Sequence, residues 1–324
     1  MQKQLAITSC PHIRSRKTTQ RIMQDVCIAL APAGIAGIVF FGARAAAIIA
    51  VSVITCVLTE LVYEKMMGQR VTIGDWSAVV TGLLLAYNIP ATAPLWIPMV
   101  GGVIAILLVK MLFGGIGSNF MNPALTARAV LFVSWGGIMG SYPVTRFMEQ
   151  TADGLSGATP LAELARVFAG QATLAEGTGL WDLFIGNCPG VLGETCKLAI
   201  LLGGVWLILR DVVDWKIPVS MIGTAFVLYL LTSGFNFGLS LREVLSGGLL
   251  LGAFFMATDY ATSPQSNLGR VIFGVGCGLI VFVIRAYANY PEGCSFAILF
   301  MNVVTPLIDR FTVPKYFGEV KKNG

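Results

Sequence analysis

A short polar stretch, Asp153-Gly154-Leu155-Ser156-Gly157-Ala158-Thr159-Pro160, holds the residue types in this chain that are best suited to a chemical modification. It has one acid, two glycines and two hydroxyl residues, with no His or Cys nearby, so its side chains alone are poorly suited to catalysis. The glycines allow an open turn on which the hydroxyl of Thr159 can be presented to a modifying enzyme. Ser-Gly and Thr-Pro are also frequent in ordinary turns, so an unmodified loop is the alternative.

The composition of the chain is that of an integral membrane protein. The 324 residues are 56% hydrophobic and only 12% charged, whereas soluble domains carry about 25% charge, and the mean hydropathy is +0.77. The net charge of +5 is typical of cytoplasmic loops in a membrane protein. No basic run with interleaved aromatic residues occurs, so we expect no nucleic-acid partner. The polar first 20 residues do not resemble a removable signal peptide.

Helical membrane spans account for most of the chain, because a helix needs about 20 apolar residues to cross the hydrocarbon core. The apolar runs predict ten spans and therefore an all-α integral membrane fold. Their ranges are 22–42, 43–63, 77–90, 95–113, 123–140, 195–212, 216–235, 241–257, 269–287 and 294–312. The third and the eighth are short: the third ends at Asn88-Ile89-Pro90, and the eighth is Gly-rich and runs into Thr258-Asp259-Tyr260.

Two halves of the chain show the same order of motifs. Residues 81–86 (TGLLLA) match residues 247–252 (GGLLLG), and Phe120-Met121-Asn122 matches Phe300-Met301-Asn302. Each half has five predicted spans, and a repeat with an odd number of spans must be inserted upside down relative to the first. The sequence thus predicts two inverted five-helix repeats with short broken helices, an arrangement that favours a site near the middle of the bilayer. Chance similarity between Leu- and Gly-rich helices is the alternative.

The distribution of Lys and Arg predicts that both termini lie in the cytoplasm, because the segments that then face inward carry most of these residues. The predicted organisation follows from this orientation. It consists of a cytoplasmic N-terminal segment (1–21), the first repeat (22–140), an outer-side loop region (141–194), the second repeat (195–312) and a cytoplasmic tail (313–324). Thr159 would lie on the outer side.

Two glycine-rich connections offer further candidate ligands. The segment 114–124 (GGIGSNFMNPA) lets the backbone turn tightly, and Asn119 and Asn122 supply amides that can bond to exposed backbone or to a ring system. The segment 186–194 (GNCPGVLGE) precedes the sixth span on the same side as Thr159, and its Gly190 and Glu194 could contact a cofactor or cap a helix. A packed turn buried by protein at membrane depth is the structural alternative for both.

Ionisable residues within or near spans are expensive and by default indicate function. Asp259 lies at the end of the short eighth span, where it could bind a hydroxyl, a cation or a proton, or could cap the next helix. Lys110 is expected to extend to the membrane surface, and Arg128 to meet the glycine turn or a phosphate. The seven cysteines match no clustered ligand pattern, so no metal site is predicted.

These motifs together resemble one family. The stretch Asp153–Thr159 resembles the signature Asp-x-x-Ser/Thr-Gly-Ala-Thr, at which FMN is joined to threonine through a phosphoester. The 114–124 turn, the 186–194 loop, the segment 257–260 (ATDY) and the segment 290–302 occur in the order seen in the RnfD family, the D subunits of Rnf complexes, which are ion-translocating ferredoxin:NAD oxidoreductases. The chain is also similar to the B subunit of the sodium-pumping NADH:quinone oxidoreductase, and the resemblance covers nearly its whole length.

The resemblance implies a flavoprotein of a bacterial or archaeal cytoplasmic membrane. It implies covalent FMN at Thr159 and a non-covalent riboflavin nearer the inner side. It also implies a place among about six subunits, including one with a second covalent FMN and others with iron–sulfur centres, and maturation by a flavin transferase. Electron transport would be coupled to movement of Na⁺ or H⁺. The short N-terminus favours the Rnf member over the quinone-reducing relative.

The resemblance also assigns expected roles to individual residues. Thr159 would hold FMN, Ser156, Gly157 and Ala158 would shape its turn, and Asp153 would help recognition by the transferase. Gly190 and Glu194 would line the FMN, and an inner flavin or ion path is expected at three residues: Asn119, Asn122 and Asp259. Two alternatives stay open. One is a ten-helix secondary transporter or channel without a redox cofactor, and the other is a structural subunit that has lost its flavin.

Overall fold

The computed structural model describes residues 17–149, 160–162, 164, 179–288 and 293–312. Regular secondary structure in these residues is helical, which confirms the predicted all-α class. In chain order the helices are α1 (Thr19–Phe41), α2 (Ala43–Met66), α3 (Ser77–Tyr87), α4 (Trp96–Met111), α5 (Pro123–Ser134), α6 (Gly136–Met139), α7 (Arg146–Glu149), α8 (Leu180–Ile185), α9 (Lys197–Leu209), α10 (Lys216–Thr232), α11 (Phe237–Leu245), α12 (Leu249–Met256), α13 (Asn267–Tyr287) and α14 (Cys294–Thr312).

Four helices of the described part, namely α1, α2, α13 and α14, are long and apolar enough to cross a membrane alone. The 23 residues of α1 span about 35 Å at 1.5 Å per residue, more than the ~30 Å of the hydrocarbon core. A fifth crossing exists if α11 and α12 form one bent span. These helices make the chain a multi-pass membrane protein.

The prediction of ten spans is therefore met only in part. Five further apolar helices have 10–17 residues each, and they are α3, α4, α5, α9 and α10. The apolar runs in the sequence continue through turns and broken segments, so hydropathy alone overestimates helix length. The second half of α4, Ile104–Met111, winds as a π-helix, a form that is frequent near functional sites.

The predicted break in the eighth span lies between α11 and α12, which meet at an angle of 65°. Gly247 occupies this break with φ +63°, a left-handed conformation that favours glycine. The guanidinium of Arg285 on α13 donates to the carbonyl oxygens of Glu243 (2.9 Å) and Ser246 (3.1 Å). These bonds satisfy backbone acceptors at the end of α11, so a non-helical segment can remain buried.

The glycine turn between α4 and α5 folds back tightly. Gly114, Gly115 and Gly117 have φ values of +110°, +89° and +85°, which residues with a side chain rarely adopt. The turn ends at Asn122, whose side chain accepts from the backbone N–H of Leu125 and caps α5. This turn brings both predicted asparagines to the start of α5.

Small residues allow the two halves of the chain to pack closely. A Cβ atom added to Gly203 on α9 would lie 2.0 Å from the carbonyl oxygen of Ala29 on α1. Close backbone approach of this kind is typical of helix pairs in membranes. It places α9, the first long helix of the second half, directly against α1 of the first half.

Candidate functional site

A cavity lies where the glycine turn meets the end of α12. It is lined by the three predicted residues Asn119, Asn122 and Asp259, which are separated by up to 140 positions in the chain, and is here called the Asn119–Asp259 cavity. Its walls also include Lys110 and Ser77. The cavity itself has a volume of about 100 Å³, and the space reaches about 760 Å³ only when the open solvent at its mouth is included. The cavity is therefore smaller than the ~300–1,000 Å³ of typical small-molecule sites.

Asn119 offers this cavity an uncommitted hydrogen-bond acceptor. Its Oδ1 atom is buried and has no hydrogen-bond partner among the described residues. A buried polar atom without a partner is costly, and its presence calls for an explanation such as a bound ligand or water. Asn119 is therefore the predicted residue of this cavity that is best placed to contact a ligand.

Asn122, by contrast, uses both polar atoms of its side chain in structural hydrogen bonds. Its Oδ1 caps α5, and its Nδ2 donates to the carbonyl of Met256 at 3.2 Å, which joins the glycine turn to the end of α12. Asn302, with its amide oriented to satisfy both polar atoms, accepts from the backbone N–H of Asn122 at 3.2 Å. The side chain of Asn122 thus forms part of the wall and holds the two halves together.

Asp259 shapes the turn that follows α12. Its carboxylate accepts from the backbone N–H of Ala261 (3.4 Å) and from the hydroxyl of Thr262 (3.3 Å). Thr262 in turn offers its carbonyl to the hydroxyl of Thr305 on α14 at 3.0 Å. Asp259 does not cap the next helix, because Ser266 caps α13 by accepting from the backbone N–H of Gly269. The Asp259 carboxylate instead stabilises a local turn at the border of the cavity.

Lys110, which lines the same cavity, belongs to a buried ion pair. The Lys110 ammonium lies 2.7 Å from both carboxylate oxygens of Glu60 and 2.6 Å from the Ser77 hydroxyl, and Lys110 and Glu60 are 2% and 1% exposed. The expected extension of Lys110 to the membrane surface is wrong, because Glu60 provides a buried partner. The signal in the sequence was Glu60 itself, an acid within the apolar run of α2.

A charged cluster on the connection between α9 and α10 lines a neighbouring pocket, which shares Val212 and Tyr260 with the Asn119–Asp259 cavity. The carboxylate of Asp214 accepts from Arg270 on α13 (2.6 Å) and from the Lys216 ammonium (3.0 Å). Burial raises the pKa of Asp214, but hydrogen bonds from the backbone and side chain of Lys216 and from Arg270 outweigh this, so its pKa lies below the usual value. The cluster ties this connection to α13.

A second cavity lies at the 186–194 loop and brings together the predicted residues Gly190 and Glu194; it is called the Glu194 cavity. Lys197 and Ser246 also line it, as does Pro160, the residue that directly follows Thr159 in the chain. The loop is held against α3 by a hydrogen bond from the backbone N–H of Gly193 to the carbonyl of Tyr87, at 3.0 Å.

The Glu194 cavity contains two acceptors without partners. Oε1 of Glu194 accepts from the backbone N–H of Val191 at 3.2 Å, whereas Oε2 has no hydrogen-bond partner in the described parts of the chain, and neither has the hydroxyl of Thr195. The ammonium of Lys197, 2% exposed, donates to the carbonyl oxygens of Glu194 and Gly247. Sequence reasoning missed Lys197, although a lysine at the start of an apolar run was a visible signal.

The two cavities lie near opposite ends of α9. Lys197 begins this helix and lines the Glu194 cavity, and Leu207 near its end lines the Asn119–Asp259 cavity. Ten residues separate them, about 15 Å at 1.5 Å per residue.

Arg128 on α5 connects the two halves between these cavities. Its guanidinium donates to Oδ1 of Asn88 (2.9 Å) and to the hydroxyl of Ser295 (2.7 Å), and the residue is 5% exposed. Asn88 is the C-cap of α3, and Ser295 is the second residue of α14. The hydrogen bonds of Arg128 thus join the end of α3 to the start of α14.

The predicted attachment stretch falls outside the described residues, and this applies to five predicted site residues: Asp153, Ser156, Gly157, Ala158 and Thr159. Their assignment stays a prediction. Pro160, the described residue that directly follows this stretch in the chain, lines the Glu194 cavity.

Comparison with known proteins decides the family. The model of the NQR2, RnfD, RnfE family matches residues 6–318. The chain belongs to this family. It is 48% identical over 320 residues to the D subunit of the Na⁺-translocating ferredoxin:NAD⁺ oxidoreductase complex of Acetobacterium woodii, with 98% of this chain and 96% of the relative covered.

Other members of the family match over a similar length. The D subunit of the proton-translocating ferredoxin:NAD⁺ oxidoreductase complex of Clostridium ljungdahlii is 39% identical over 323 residues, with 96% of each chain covered. The D subunit of the ion-translocating oxidoreductase complex of Escherichia coli O6:H1 is 35% identical over 349 residues, covering 97% of this chain and 99% of the relative. The family resemblance predicted from the motifs is confirmed.

Proposed function

We propose that this chain is the D subunit of an Rnf-type, ion-translocating ferredoxin:NAD oxidoreductase complex in the cytoplasmic membrane of a bacterium or archaeon. The observation that carries this proposal is the 48% identity to a relative of that name over 98% of the chain. The chain would be one redox subunit of the complex and would not be active alone. Na⁺ is named for one relative and H⁺ for another, so either ion fits the proposal.

The first proposed cofactor is FMN, joined to Thr159 through a phosphoester. The Asp153–Thr159 signature supports it, and so does the Glu194 cavity that Pro160 lines. The unpartnered acceptors of Glu194 and Thr195 fit the N–H and hydroxyl donors of a flavin, and Lys197 brings a positive charge. Bound FMN supplies the electron chemistry, while the protein supplies position and electrostatics.

The second proposed cofactor is a non-covalent riboflavin in the Asn119–Asp259 cavity. The cavity, about 100 Å³ in volume, would hold one part of such a ligand, and the rest would extend through its open mouth. The free Oδ1 of Asn119 fits a donor on the flavin ring or on its ribityl chain. Two flavins in the two cavities would lie along one helix, α9, on a route for electrons through the membrane.

The proposed topology is two inverted five-helix repeats with both termini in the cytoplasm and Thr159 on the outer side. The contact between Asn122 and Asn302 supports it, because residues related by a two-fold axis meet where they lie on that axis. A buried cation also recurs on the fourth span of each half: Lys110 on α4 bonds Glu60 of α2, and Arg285 on α13 lies 3.9 Å from Glu243 of α11.

The proposed partners follow from this topology. An outer-side FMN cannot meet cytoplasmic NADH or ferredoxin directly, so electrons need iron–sulfur subunits and a second FMN-bearing subunit to cross the membrane and return. Maturation needs a flavin transferase that recognises the Asp153–Thr159 signature. Redox state would have to bias a conformational equilibrium of the chain for electron flow to move ions.

The experiment expresses the chain with its complex and a flavin transferase, and examines flavin fluorescence after a denaturing gel. The wild-type band should fluoresce, and Thr159→Ala should abolish the signal. The matched control Thr151→Ala removes a hydroxyl from the same connection and should keep it. Fluorescence that survives Thr159→Ala would show that the flavin is attached to another residue. A dark wild-type band would favour a secondary transporter or channel, or a subunit without flavin.

A further inference from the structure

In the ion pair of Lys110 and Glu60, the lysine lies next to the Asn119–Asp259 cavity and the glutamate lies farther from it. Lys110 and Ser77 line the cavity wall, and Glu60 lies behind them on α2, outside the lining. A ligand in the cavity therefore meets the positive member of the pair first. Because the pair is removed from water, its field reaches the cavity with less screening than a surface pair would.

Ser77 keeps the ammonium at this wall. It accepts from Lys110 at 2.6 Å and donates to the carboxylate of Asp75 at 2.6 Å. The lysine is thus shared between Ser77 on the cavity side and Glu60 on the far side. On the far side, the Thr72 hydroxyl lies 3.4 Å from Glu60 but donates its single proton to the closer Glu64 carboxylate at 2.5 Å.

We propose that Lys110 and Glu60 are positioning residues that set the reduction potential of a flavin in the Asn119–Asp259 cavity, and that they act with opposite signs. This inference rests on the proposed function, which places a flavin there. An electron passed from a reduced centre of a neighbouring protein of the complex adds one negative charge to the flavin and oxidises that centre. The Lys110 charge stabilises the added charge, and the Glu60 charge opposes it.

The test is a spectroelectrochemical titration of the non-covalent flavin in the intact complex. Lys110→Gln should lower its midpoint potential and Glu60→Gln should raise it. Each shift should be about tenfold or more in the one-electron equilibrium, which equals about 59 mV. Lys110→Arg keeps the charge and should stay close to wild type. Lys65→Gln removes an exposed lysine from the end of α2, the helix that carries Glu60, and should leave the midpoint potential unchanged.

A purely structural ion pair would give a different pattern. Lys110→Gln and Glu60→Gln would then both loosen the wall and lower flavin content, with no opposite shifts in the remaining flavin. That result overturns the inference, as does an unchanged potential in both variants.

Failure of the proposed function is recognised separately. Asn119→Leu should release the non-covalent flavin, as measured after acid extraction, while the covalent flavin of Thr159 remains on the gel. If flavin content is unaffected by Asn119→Leu, the flavin does not bind in this cavity, and the proposed placement fails before any potential is compared. If the flavin is lost in Asn119→Leu but keeps its potential in Lys110→Gln, only the inference fails.

Discussion

Asn119 and Asn122 lie in the same glycine-rich turn, but their side chains make different contacts, so substituting each one should have a different effect. Asn122→Ala removes the cap of α5, worth about 0.5–2 kcal/mol, and the hydrogen bond to the Met256 carbonyl, worth about 0.5–1.5 kcal/mol. The expected loss is therefore about 1–3 kcal/mol of unfolding free energy. Asn119→Ala removes an Oδ1 atom without a partner among the described residues, so its cost should stay below about 0.5 kcal/mol.

The assay compares thermal unfolding and flavin content of the purified complex carrying each variant. Since 1 kcal/mol corresponds to roughly 2–4 °C for chains of 150–250 residues, Asn122→Ala should unfold this protein several degrees earlier. Asn119→Ala should unfold close to wild type but lose the non-covalent flavin.

The roles assigned to Asn119 and Asn122 are wrong if Asn119→Ala loses stability and Asn122→Ala loses only its flavin. A large loss of stability in Asn119→Ala would mean that its amide has a structural partner. A stable Asn122→Ala that loses only its flavin would mean that Asn122, and not Asn119, is the ligand contact.

Two further predictions concern packing and pH. Gly193→Ala should cost about 1–3 kcal/mol, because the new Cβ would lie 2.2 Å from the Cβ of Tyr87; Gly223→Ala, a helical site with nothing within 4 Å, is the control and should be neutral or slightly stabilising. Asp214 has a lowered pKa, so its stabilisation is complete above the unfolded value of about 4 and is lost as pH falls through the folded value. The difference in unfolding temperature between wild type and Asp214→Asn should thus be constant from about pH 7 to 5 and shrink below about pH 4, and a difference that grows on acidification would contradict the assignment.

Much of the helical layout followed from the sequence because its signals are local. Apolar runs located the helices, and Ile89-Pro90 marked the end of the third span. The cap at the glycine turn is also a local feature, since an Asn before a Pro-initiated helix satisfies its own neighbouring N–H groups. Helix lengths were less accurate, because hydropathy does not distinguish a helical residue from an apolar turn residue.

The partners of charged side chains could not be predicted in the same way. Lys110 was expected at the surface because its position in an apolar helix gives no information on what lies beside it. The structure places Glu60, 50 residues earlier, within 2.7 Å. A buried charge is tolerated only where a distant part of the chain supplies its partner, and that is a property of packing.

Composition, motif order and spacing are properties of the unfolded chain, and they were enough to predict the class of protein, the family and the candidate residues. Which candidates share a cavity was established by the fold. It brought Asn119 and Asp259 to one wall, gave Asn122 to the helix cap, and added Lys110 and Lys197 as buried cations. The physical reason is that a polar group in an apolar interior must find its hydrogen-bond partners in three dimensions, and sequence distance does not restrict which ones it finds.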